Sequence, residues 1–303
     1  MLDELRGRLV GLAATDRPCV VGCSGGPDSL ALLCLAHHAA LDPIAAHVDH
    51  GLRSGSDLES DVVADTASRL GVPFVAEAVT VAAGPNLEAR ARTARYAALE
   101  RVRVARGAPV VLVGHTADDQ AETVLLNLLR GSAAAGLGAM APRRDTVVRP
   151  LLAIRRAETE ALCASLALTP AHDPTNDDLT LRRNWIRHEV LPQLADGAAR
   201  DLVPLLARQA DVLHAESDYL DGLARAAWPS DGTASAAALT ALHPVLGRRA
   251  VRCWLGPPPP SLAEVDRVLA VASGAHRATE LSAGRRVWRR VGQLYVDRGT
   301  VEA

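Results

Sequence analysis

The sequence contains no lysine: all 33 of its basic residues are arginines, set against 35 acidic residues. This absence excludes a phosphate-binding loop of the GxxxxGK[ST] type, which depends on a lysine side chain. The net charge is −2, so the chain has no global positive field that would attract a polyanion. A nucleic-acid partner would therefore have to be held by a local group of arginines.

Aromatic residues and paired cysteines are also scarce. Aromatics form 3% of the chain, so its cores must be built mainly from Ala, Leu and Val. The five cysteines contain no CxxC pair, which is typical of reduced thiols in a cytoplasm and argues against a zinc knuckle or a redox pair. No apolar run is long enough to cross a membrane, and residues 1–12 are typical of an amphipathic helix. We therefore expect a cytoplasmic protein with no membrane partner.

Short apolar runs alternate with helical stretches in the first half of the chain. Strands are predicted at residues 18–22, 44–48, 72–76 and 109–114, and helices at 29–40, 57–70, 86–106 and 118–130. This alternation predicts an α/β fold with a parallel sheet and helices on both faces.

The character of the chain changes after about residue 193. Long helical stretches follow, including predicted helices at 234–254 and 262–272, and the C-terminus is strand-rich. We expect a catalytic domain over residues 1–199 and a smaller, mainly helical domain with some strand over residues 200–303.

The stretch SGGPDS, residues 24–29, follows the first predicted strand. Ligands of open parallel sheets bind beyond the carboxyl ends of the strands. Gly25 and Gly26 would let the backbone approach a ligand closely, and free amides at the start of the next helix would attract an anion. The alternative is a glycine-rich turn in which Asp28 or Ser29 caps the helix. A cap does not explain the first serine or the two glycines, and no GxGxxG fingerprint is present.

The motif HVDHGLR, residues 47–53, lies at the end of the second predicted strand. Imidazole and carboxylate side chains are common metal ligands, so a metal site is one interpretation. No third group of ligands is nearby in sequence, however. The position also suits the ribose and adenine end of a nucleotide that spans the first two strands.

The motif GHTADDQAETVLLNLLRG, residues 114–131, carries three acids at the start of a predicted helix. Asp118 and Asp119 precede Glu122 by four and three residues, so both pairs share a helix face, where like charges repel by a few tenths of a kcal/mol. One interpretation is a solvated acidic turn that the helix dipole stabilises. The other is that the acids hold Mg²⁺ or a substrate ammonium group.

Together these motifs resemble those of a known family. SGGPDS is similar to the pyrophosphate loop SGGxDS of the N-type ATP pyrophosphatases. With NLEARARTARY (residues 86–96), RPLL (149–152) and DPTNDDLTLRRNWIRHEVLP (173–192), the motifs resemble, in order, those of the tRNA(Ile)-lysidine synthetase family. The resemblance is dense over the first two hundred residues and weaker beyond them.

The resemblance implies ATP-dependent ligation of free L-lysine to C2 of the cytidine at the first anticodon position of tRNA(Ile). The reaction would proceed through an adenylated cytidine and release AMP and pyrophosphate. The residues implied to bind ATP are Ser24, Gly25, Gly26, Pro27, Asp28, Ser29, His47, Asp49 and His115. The implied catalytic residues are Asp119, Glu122, Arg95, Arg183 and Arg187, and the implied Mg²⁺ ligands are Asp28 and Asp118.

The lysine substrate poses a protonation problem. Its ε-ammonium has a pKa of about 10.4, so the group arrives protonated and cannot attack. A carboxylate pair can first bind the cation and then accept its proton. Asp119 and Glu122 are our candidates for that pair.

The C-terminal stretch GRRVWRRVGQLY, residues 284–295, interleaves arginines with Trp288 and Tyr295. Such a stretch suits phosphate contacts combined with stacking on bases. It predicts a tRNA-binding surface formed by Arg285, Arg286, Arg289 and Arg290. A strand edge protected by arginines is an equal alternative.

Two other functions stay open. A tRNA 2-thiolation enzyme would share the pyrophosphate loop, but such enzymes generally use paired cysteines. A nucleotide-binding regulator without catalysis would leave the acids of residues 118–122 without a use. The expected partners are tRNA(Ile) and free L-lysine, and a homodimer is left open.

Overall fold

The computed structural model describes the chain except for residues 14, 50, 52–55, 82–83, 85–86, 172, 229–233 and 298–303. It divides into two compact units, Met1–Leu213 and His214–Ala303. The division falls inside the helix Val203–Ala227, whereas the sequence predicted a boundary at 199/200. Because the helix continues across the division, no change of composition marks it in the sequence.

The first unit is built on a six-stranded sheet with the order β3-β2-β1-β4-β6-β5. Its strands are β1 Cys19–Gly22, β2 Pro43–Asp49, β3 Phe74–Ala78, β4 Val110–Val113, β5 Arg143–Arg144 and β6 Val147–Val148. The first four strands and β6 are parallel, and β5 is an antiparallel edge strand. The predicted parallel α/β fold is confirmed, and each of its four predicted strands is present.

Helices cover both faces of this sheet. The α-helices that precede α10 are α1 Leu2–Gly7, α2 Pro27–His38, α3 Ser56–Leu70, α4 Leu87–Ala105, α5 Ala117–Leu129, α6 Ala134–Leu137, α7 Arg156–Ser165, α8 Arg182–Trp185 and α9 Leu191–Ala198. Successive strand residues point to opposite faces. Val21 accordingly belongs to a core with Leu30 and Leu162, while Val20 belongs to a second core with Leu99.

The second unit contains a four-stranded antiparallel sheet with the order β7-β10-β9-β8. Its elements, with α10 shared by both units, are α10 Val203–Ala227, β7 Ala234–Ser235, α11 Ala236–Ala241, α12 Pro244–Leu255, α13 Leu262–Ser273, β8 Ala278–Glu280, β9 Arg286–Arg290 and β10 Gln293–Asp297. No helix in the described part of the chain is both long and apolar enough to span a membrane.

The single helix predicted at residues 234–254 is wrong. A short strand precedes α11, and the chain breaks between α11 and α12 at Leu242 and His243. Pro244 has no amide hydrogen and disfavours a helical residue before it, so it can begin α12 but cannot lie inside a longer helix. His243 accepts the amide hydrogen of Val245 and caps the new helix.

Candidate active site

The loop between β1 and α2 contains a residue position that suits glycine alone. Gly25 has a φ of +82°, and a Cβ there would lie 3.2 Å from the carbonyl oxygen of Glu59. The amide of Ser24 donates to Oγ of Ser29 at 3.2 Å, and that hydroxyl donates to the carbonyl of Gly26 at 2.9 Å. Gly26 is the N-cap of α2 and has no side chain, which contradicts the alternative of a side-chain-capped turn. Uncapped amides at a helix N-terminus favour an anionic ligand.

Asp28 lies in the first turn of α2 and is largely buried. Its carboxylate accepts hydrogen bonds from the Thr159 hydroxyl and, at 3.3 Å, from Nε of Arg156. Burial raises the pKa of Asp28 to about 6, although the Arg156 charge and the Thr159 hydrogen bond act in the opposite direction. Arg156 and Thr159 thus offset only part of the cost of burying an ionised Asp28.

The acidic turn at the start of α5 is not solvated. Thr116 is its N-cap, and the amide and hydroxyl of Thr116 donate to Oδ2 of Asp119 at 2.8 and 3.1 Å. The side chain of Glu122 is 0% exposed and that of Asp119 11% exposed. Two carboxylates at this depth require cationic partners, because a buried unpaired charge is costly.

Those partners are three arginines from two distant segments. Glu122 Oε1 accepts from Nε of Arg187 at 2.7 Å and Nη1 of Arg156 at 3.3 Å, and its Oε2 accepts from Nε of Arg183 at 2.7 Å. Asp119 Oδ1 accepts from Nη2 of Arg156 at 2.9 Å and Nη2 of Arg183 at 3.1 Å. Burial acts to raise the pKa of Asp119, but the charges of Arg183 and Arg156 outweigh it and hold that pKa below its usual range. We call these five residues the arginine–carboxylate cluster.

Arg183 and Arg187 reach the cluster because they are four residues apart on one helix face. Arg183 lies in α8, which continues through a π-helical turn, Ile186–Val190, that contains Arg187. Ile186 is fully buried in a small core with residues of α5. The sequence predicted both arginines as catalytic, and the structure brings both to Glu122.

Asp118 occupies a different environment from the one predicted for a Mg²⁺ ligand. Its Oδ2 accepts from Nε of Arg155 at 3.2 Å and from the backbone amide of Arg156 at 2.8 Å. Its Oδ1 accepts from Nη2 of Arg155 at 3.2 Å. The described residues also contain no group of three or more His, Cys, Asp or Glu side chains placed to hold a metal ion. Both oxygens of Asp118 are engaged by Arg155 and the Arg156 amide, and both of Asp28 by Thr159 and Arg156. Asp28 is the more suitable of the two predicted ligands because it belongs to the loop and its partners do not offset its burial.

A cavity of about 180 Å³ opens beside the cluster. One part of its wall is charged and consists of Asp118, Glu122, Arg156, Arg187 and Asp201. The other part is apolar and comes from α9 and the start of α10, with Leu191, Pro192, Ala195 and Val203. The cavity therefore suits a small molecule with a cationic end and an aliphatic stem.

Two histidines lie beside the loop: His47 in β2, which is buried, and His115 two residues after β4, which is half-buried. Gly22 of β1 is in register with Ala46 and Val113, so His47 and His115 lie just beyond the loop on either side. Nε2 of His47 and Nδ1 of His115 are buried and have no hydrogen-bond partner in the described part of the chain. Burial lowers the pKa of His115 far below its ordinary value, so this imidazole is neutral at pH 7. Both rings thus present polar atoms that a ligand could satisfy.

The remaining residues predicted for this site are Asp49, the rest of the HVDHGLR motif and Arg95. Asp49, at the end of β2, accepts the amide hydrogen of Gly51 at 2.9 Å. Three residues of the HVDHGLR motif, His50, Leu52 and Arg53, lie outside the described residues. Arg95 is half-buried in the third turn of α4, and the cluster is formed by other arginines.

Comparisons with known proteins agree with this geometry. A model of the PP-loop domain family matches residues 4–194. A tRNA(Ile)-lysidine synthase of Mycobacterium bovis is 44% identical over 255 residues, which are 81% of this chain and 77% of that protein. The chain belongs to the tRNA(Ile)-lysidine synthase family. The enzymes of that name from Gloeobacter violaceus and Salinispora tropica are 42% and 39% identical, covering 83% and 91% of this chain and 82% and 90% of their own.

A solved structure shows the same fold outside the tRNA(Ile)-lysidine synthase family. The U34-tRNA thiolase of Methanococcus maripaludis, solved with its [4Fe-4S] cluster, superposes with a TM-score of 0.57 and 19% identity. The match covers 71% of this chain and 77% of that one. At this identity the likeness concerns the fold alone.

Sequence reasoning missed Arg156, which contacts three carboxylates in this site. Arg156 is the first residue of α7, next to the N-cap Arg155. The N-terminus of a helix carries partial positive charge, so two arginines there are electrostatically unfavourable without anionic partners. The pair RR directly after RPLLAI is thus a local signal of anionic partners.

The second unit holds the predicted tRNA-binding arginines, and the structure separates them. Arg285 is 2% exposed, and its Nε donates to the carbonyl of Ser282 at 3.2 Å, which removes it from the predicted surface. Arg289 donates to the carbonyl of Ala272 at 2.8 Å. Arg286 pairs with Glu280 at 3.3 Å, and Arg290 is exposed. The four arginines therefore do not form one uniform patch.

The aromatic residues of the same hairpin do stack. Trp288 and Tyr295 are directly opposite in β9 and β10, with ring centroids 5.7 Å apart and planes inclined by 14°. Alternation places Arg286, Trp288 and Arg290 on one face of β9. Both interpretations of this stretch, a nucleic-acid surface and a protected strand edge, are compatible with this arrangement.

Proposed function

We propose that the protein ligates free L-lysine to C2 of the cytidine at the first anticodon position of tRNA(Ile). In the first step the C2 carbonyl oxygen attacks the α-phosphorus of ATP and pyrophosphate leaves. In the second step the lysine ε-amine attacks C2, and AMP leaves with the former carbonyl oxygen. The observation that carries the proposal is a buried, arginine-compensated acid pair beside a pyrophosphate-type loop, in a chain of this family.

The residues of the loop serve the first step. Ser24, Gly25, Gly26 and the first amides of α2 bind the departing pyrophosphate, since uncapped amides and the helix dipole favour anions. His47, Asp49 and His115 lie at the carboxyl ends of β2 and β4, where they can bind the rest of the nucleotide. Phosphoryl-type transfers are catalysed chiefly by positioning and charge neutralisation.

Mg²⁺ accompanies the nucleotide in this proposal. Mg²⁺ sites commonly use one or two carboxylates, with substrate phosphates and waters completing the shell. Asp28 suits such a site because its carboxylate lies next to the loop and is incompletely compensated. The ion would neutralise phosphate charge when bound.

Asp119 and Glu122 serve the second step. The four-carbon stem of lysine fits along the apolar wall of the 180 Å³ cavity, which directs its ammonium group toward Glu122. The carboxylates bind the cation and then accept its proton, so that the neutral amine can attack. Arg183 and Arg187 hold the acid pair in place.

The experiment is nucleoside analysis of tRNA(Ile) after incubation with enzyme, ATP and lysine. We expect a cytidine whose mass has increased by one lysine less one water, with stoichiometric AMP. The matched control is the same tRNA with uridine at the first anticodon position, which should stay unmodified. A product that carries sulfur, or no product at all, would contradict the proposal.

The cysteines in the described part of the chain give little support to the alternative function, tRNA thiolation. Four of the five are buried. Burial raises the pKa of Cys19, Cys23 and Cys163 to about 12 and that of Cys34 to about 11. Thiols held protonated in this way are poor nucleophiles. A regulator without catalysis would bind ATP but release no AMP in the same assay.

A further inference from the structure

Arg156 links the two halves of the site. Its guanidinium contacts Asp28 of the loop helix at 3.3 Å, Asp119 at 2.9 Å and Glu122 at 3.3 Å. Its backbone is fixed, because α7 packs on α2 through Leu162 and the Arg156 amide donates to Asp118. Only the long side chain is therefore placed to move between the loop and the acid pair.

The charges that the Arg156 guanidinium bridges are balanced. Arg156, Arg183 and Arg187 face three carboxylates, those of Asp28, Asp119 and Glu122. Arg155 lies outside this group and pairs with Asp118 and Asp201. Both oxygens of Glu122 and both of Asp119 already accept hydrogen bonds. A lysine ammonium entering this cluster would add an uncompensated positive charge at a buried position, which is unfavourable.

A phosphate ligand at the loop changes that balance. Guanidinium groups bind phosphate oxygens through two parallel hydrogen bonds, as they bind carboxylates. Asp28, one residue before Ser29 of the loop, is already within reach of Arg156. A polyphosphate at the loop can therefore draw the guanidinium away from Asp119 and Glu122, which leaves negative charge on the acids.

We propose that Arg156 couples nucleotide binding to lysine binding by exchanging its carboxylate partners for the phosphates of ATP. Without nucleotide, Arg156 competes with the substrate ammonium for the acid pair. With nucleotide, the ammonium takes the place that the guanidinium has left. The inference rests on the proposed function and makes Arg156 a positioning residue. Since binding linkage is reciprocal, lysine also tightens nucleotide binding by the same factor.

The test is the dissociation constant of lysine with and without saturating α,β-methylene-ATP, which resists cleavage, in the presence of Mg²⁺. We expect lysine to bind wild-type protein about 5- to 150-fold more tightly with the nucleotide, the usual range of such coupling. In Arg156→Gln the ratio should approach one, and nucleotide-free lysine binding should become tighter because its competitor is gone. A merely structural role would instead weaken binding in both states and leave the ratio unchanged.

Two further variants keep the test decisive. Arg8→Gln removes a different arginine that bonds Glu158 of the same helix, and it should keep the wild-type ratio. If Arg156→Gln does not fold, Arg156→Lys keeps the charge but loses the planar fork, and its ratio should fall below that of wild type. A wild-type ratio of one, or an unchanged ratio in both Arg156 variants, would overturn the inference.

The outcome also separates this inference from the proposed function. If the enzyme makes lysidine but lysine binds equally with and without nucleotide, only the exchange of partners is wrong. If lysine does not bind in either state and no lysidine forms, both proposals fail.

Discussion

Two groups of arginines, one in each compact unit, lie at very different depths. In Met1–Leu213, three arginines point into the protein and share two carboxylates whose side chains are 0% and 11% exposed. In His214–Ala303, Arg286 pairs with Glu280 where both side chains are largely exposed, at 59% and 72%. Arg285 of that unit is buried but bonds backbone carbonyls and not acids.

Burial, and not the number of arginines, therefore decides how much an arginine–carboxylate pair contributes to stability. Exposed pairs are screened by water and salt and contribute little. In a buried cluster, removing one partner leaves an uncompensated charge, so each member depends strongly on the others. The first unit therefore contains buried charges that depend on one another, whereas Arg286 and Glu280 of the second unit form an exposed pair that solvent screens.

The largest expected effect comes from Glu122→Gln. Neutralising this carboxylate leaves three arginines with two acids, Asp119 and the Asp28 that pairs with Arg156, and we expect a loss of about 3–5 kcal/mol in the free energy of unfolding. The matched change in the second unit, Glu280→Gln, should cost less than about 1 kcal/mol. Urea unfolding measures both. In the tRNA assay, Glu122→Gln should also raise the KM for lysine more than that for ATP. Equal stability losses in the two variants would remove the contrast between the units.

The next effect is the pH dependence of stability. One carboxyl group in each unit should change the free energy of unfolding with pH, and the two slopes should have opposite signs. Burial raises the pKa of Asp28 to about 6, so wild-type protein loses stability relative to Asp28→Asn as the pH rises from about 4 to about 6. At 1.36 kcal/mol per pKa unit the loss amounts to about 3 kcal/mol and stays constant at higher pH.

Glu264 in the second unit should behave oppositely. Hydrogen bonds from Ser282 and Ser261 lower the pKa of Glu264 to about 2, so its contribution is present above about pH 4.5 and is lost as the pH falls toward 2. Unfolding curves of Asp28→Asn and Glu264→Gln across pH, with chelator and without nucleotide, measure both slopes. Slopes of the same sign would contradict the contrast.

A smaller effect distinguishes the two loop glycines. Gly25→Ala places a side chain at a φ of +82° and near Glu59, at a cost of about 1–3 kcal/mol. Gly26→Ala meets nothing closer than 3.7 Å and should cost about 0.5–1 kcal/mol, the difference between glycine and alanine at an N-cap. Both should abolish AMP formation if the loop holds pyrophosphate. Gly256→Ala in the second unit, at a φ of +64°, should keep it. Wild-type AMP release by Gly26→Ala would contradict the loop assignment.

The smallest effect is expected in the second unit. Replacing Arg286, Arg289 and Arg290 together with glutamine should flatten the slope of log affinity for tRNA against log salt by at most about 2, using the single-strand coefficient. Arg289 and Arg286 have protein partners, so a change near one is the expected value. Arg285→Gln, a buried control, should leave the slope unaltered. If the triple variant also leaves it unaltered, the tRNA surface lies elsewhere.

Much of the first unit was predictable because its signals are local. The strand–helix alternation, the SGGPDS loop and the acids at the start of α5 each lie within a few residues, where periodicity and turn chemistry act. The glycine requirement at Gly25 follows from the same local geometry. In the second unit, Pro244 was a local signal of a helix start that the sequence analysis overlooked.

The sequence by itself determined which chemical groups exist and which neighbours along the chain share a face, as Arg183 and Arg187 do. Only the tertiary structure decided which charges meet. Arg156 is 128 residues from Asp28 and 34 from Glu122, and the crossover order of the sheet brings all three together. It also decided that Arg285 is buried and Arg290 exposed, although they lie five residues apart. Electrostatic energies depend on distance and burial in space, and sequence spacing encodes neither beyond a turn or two of a helix.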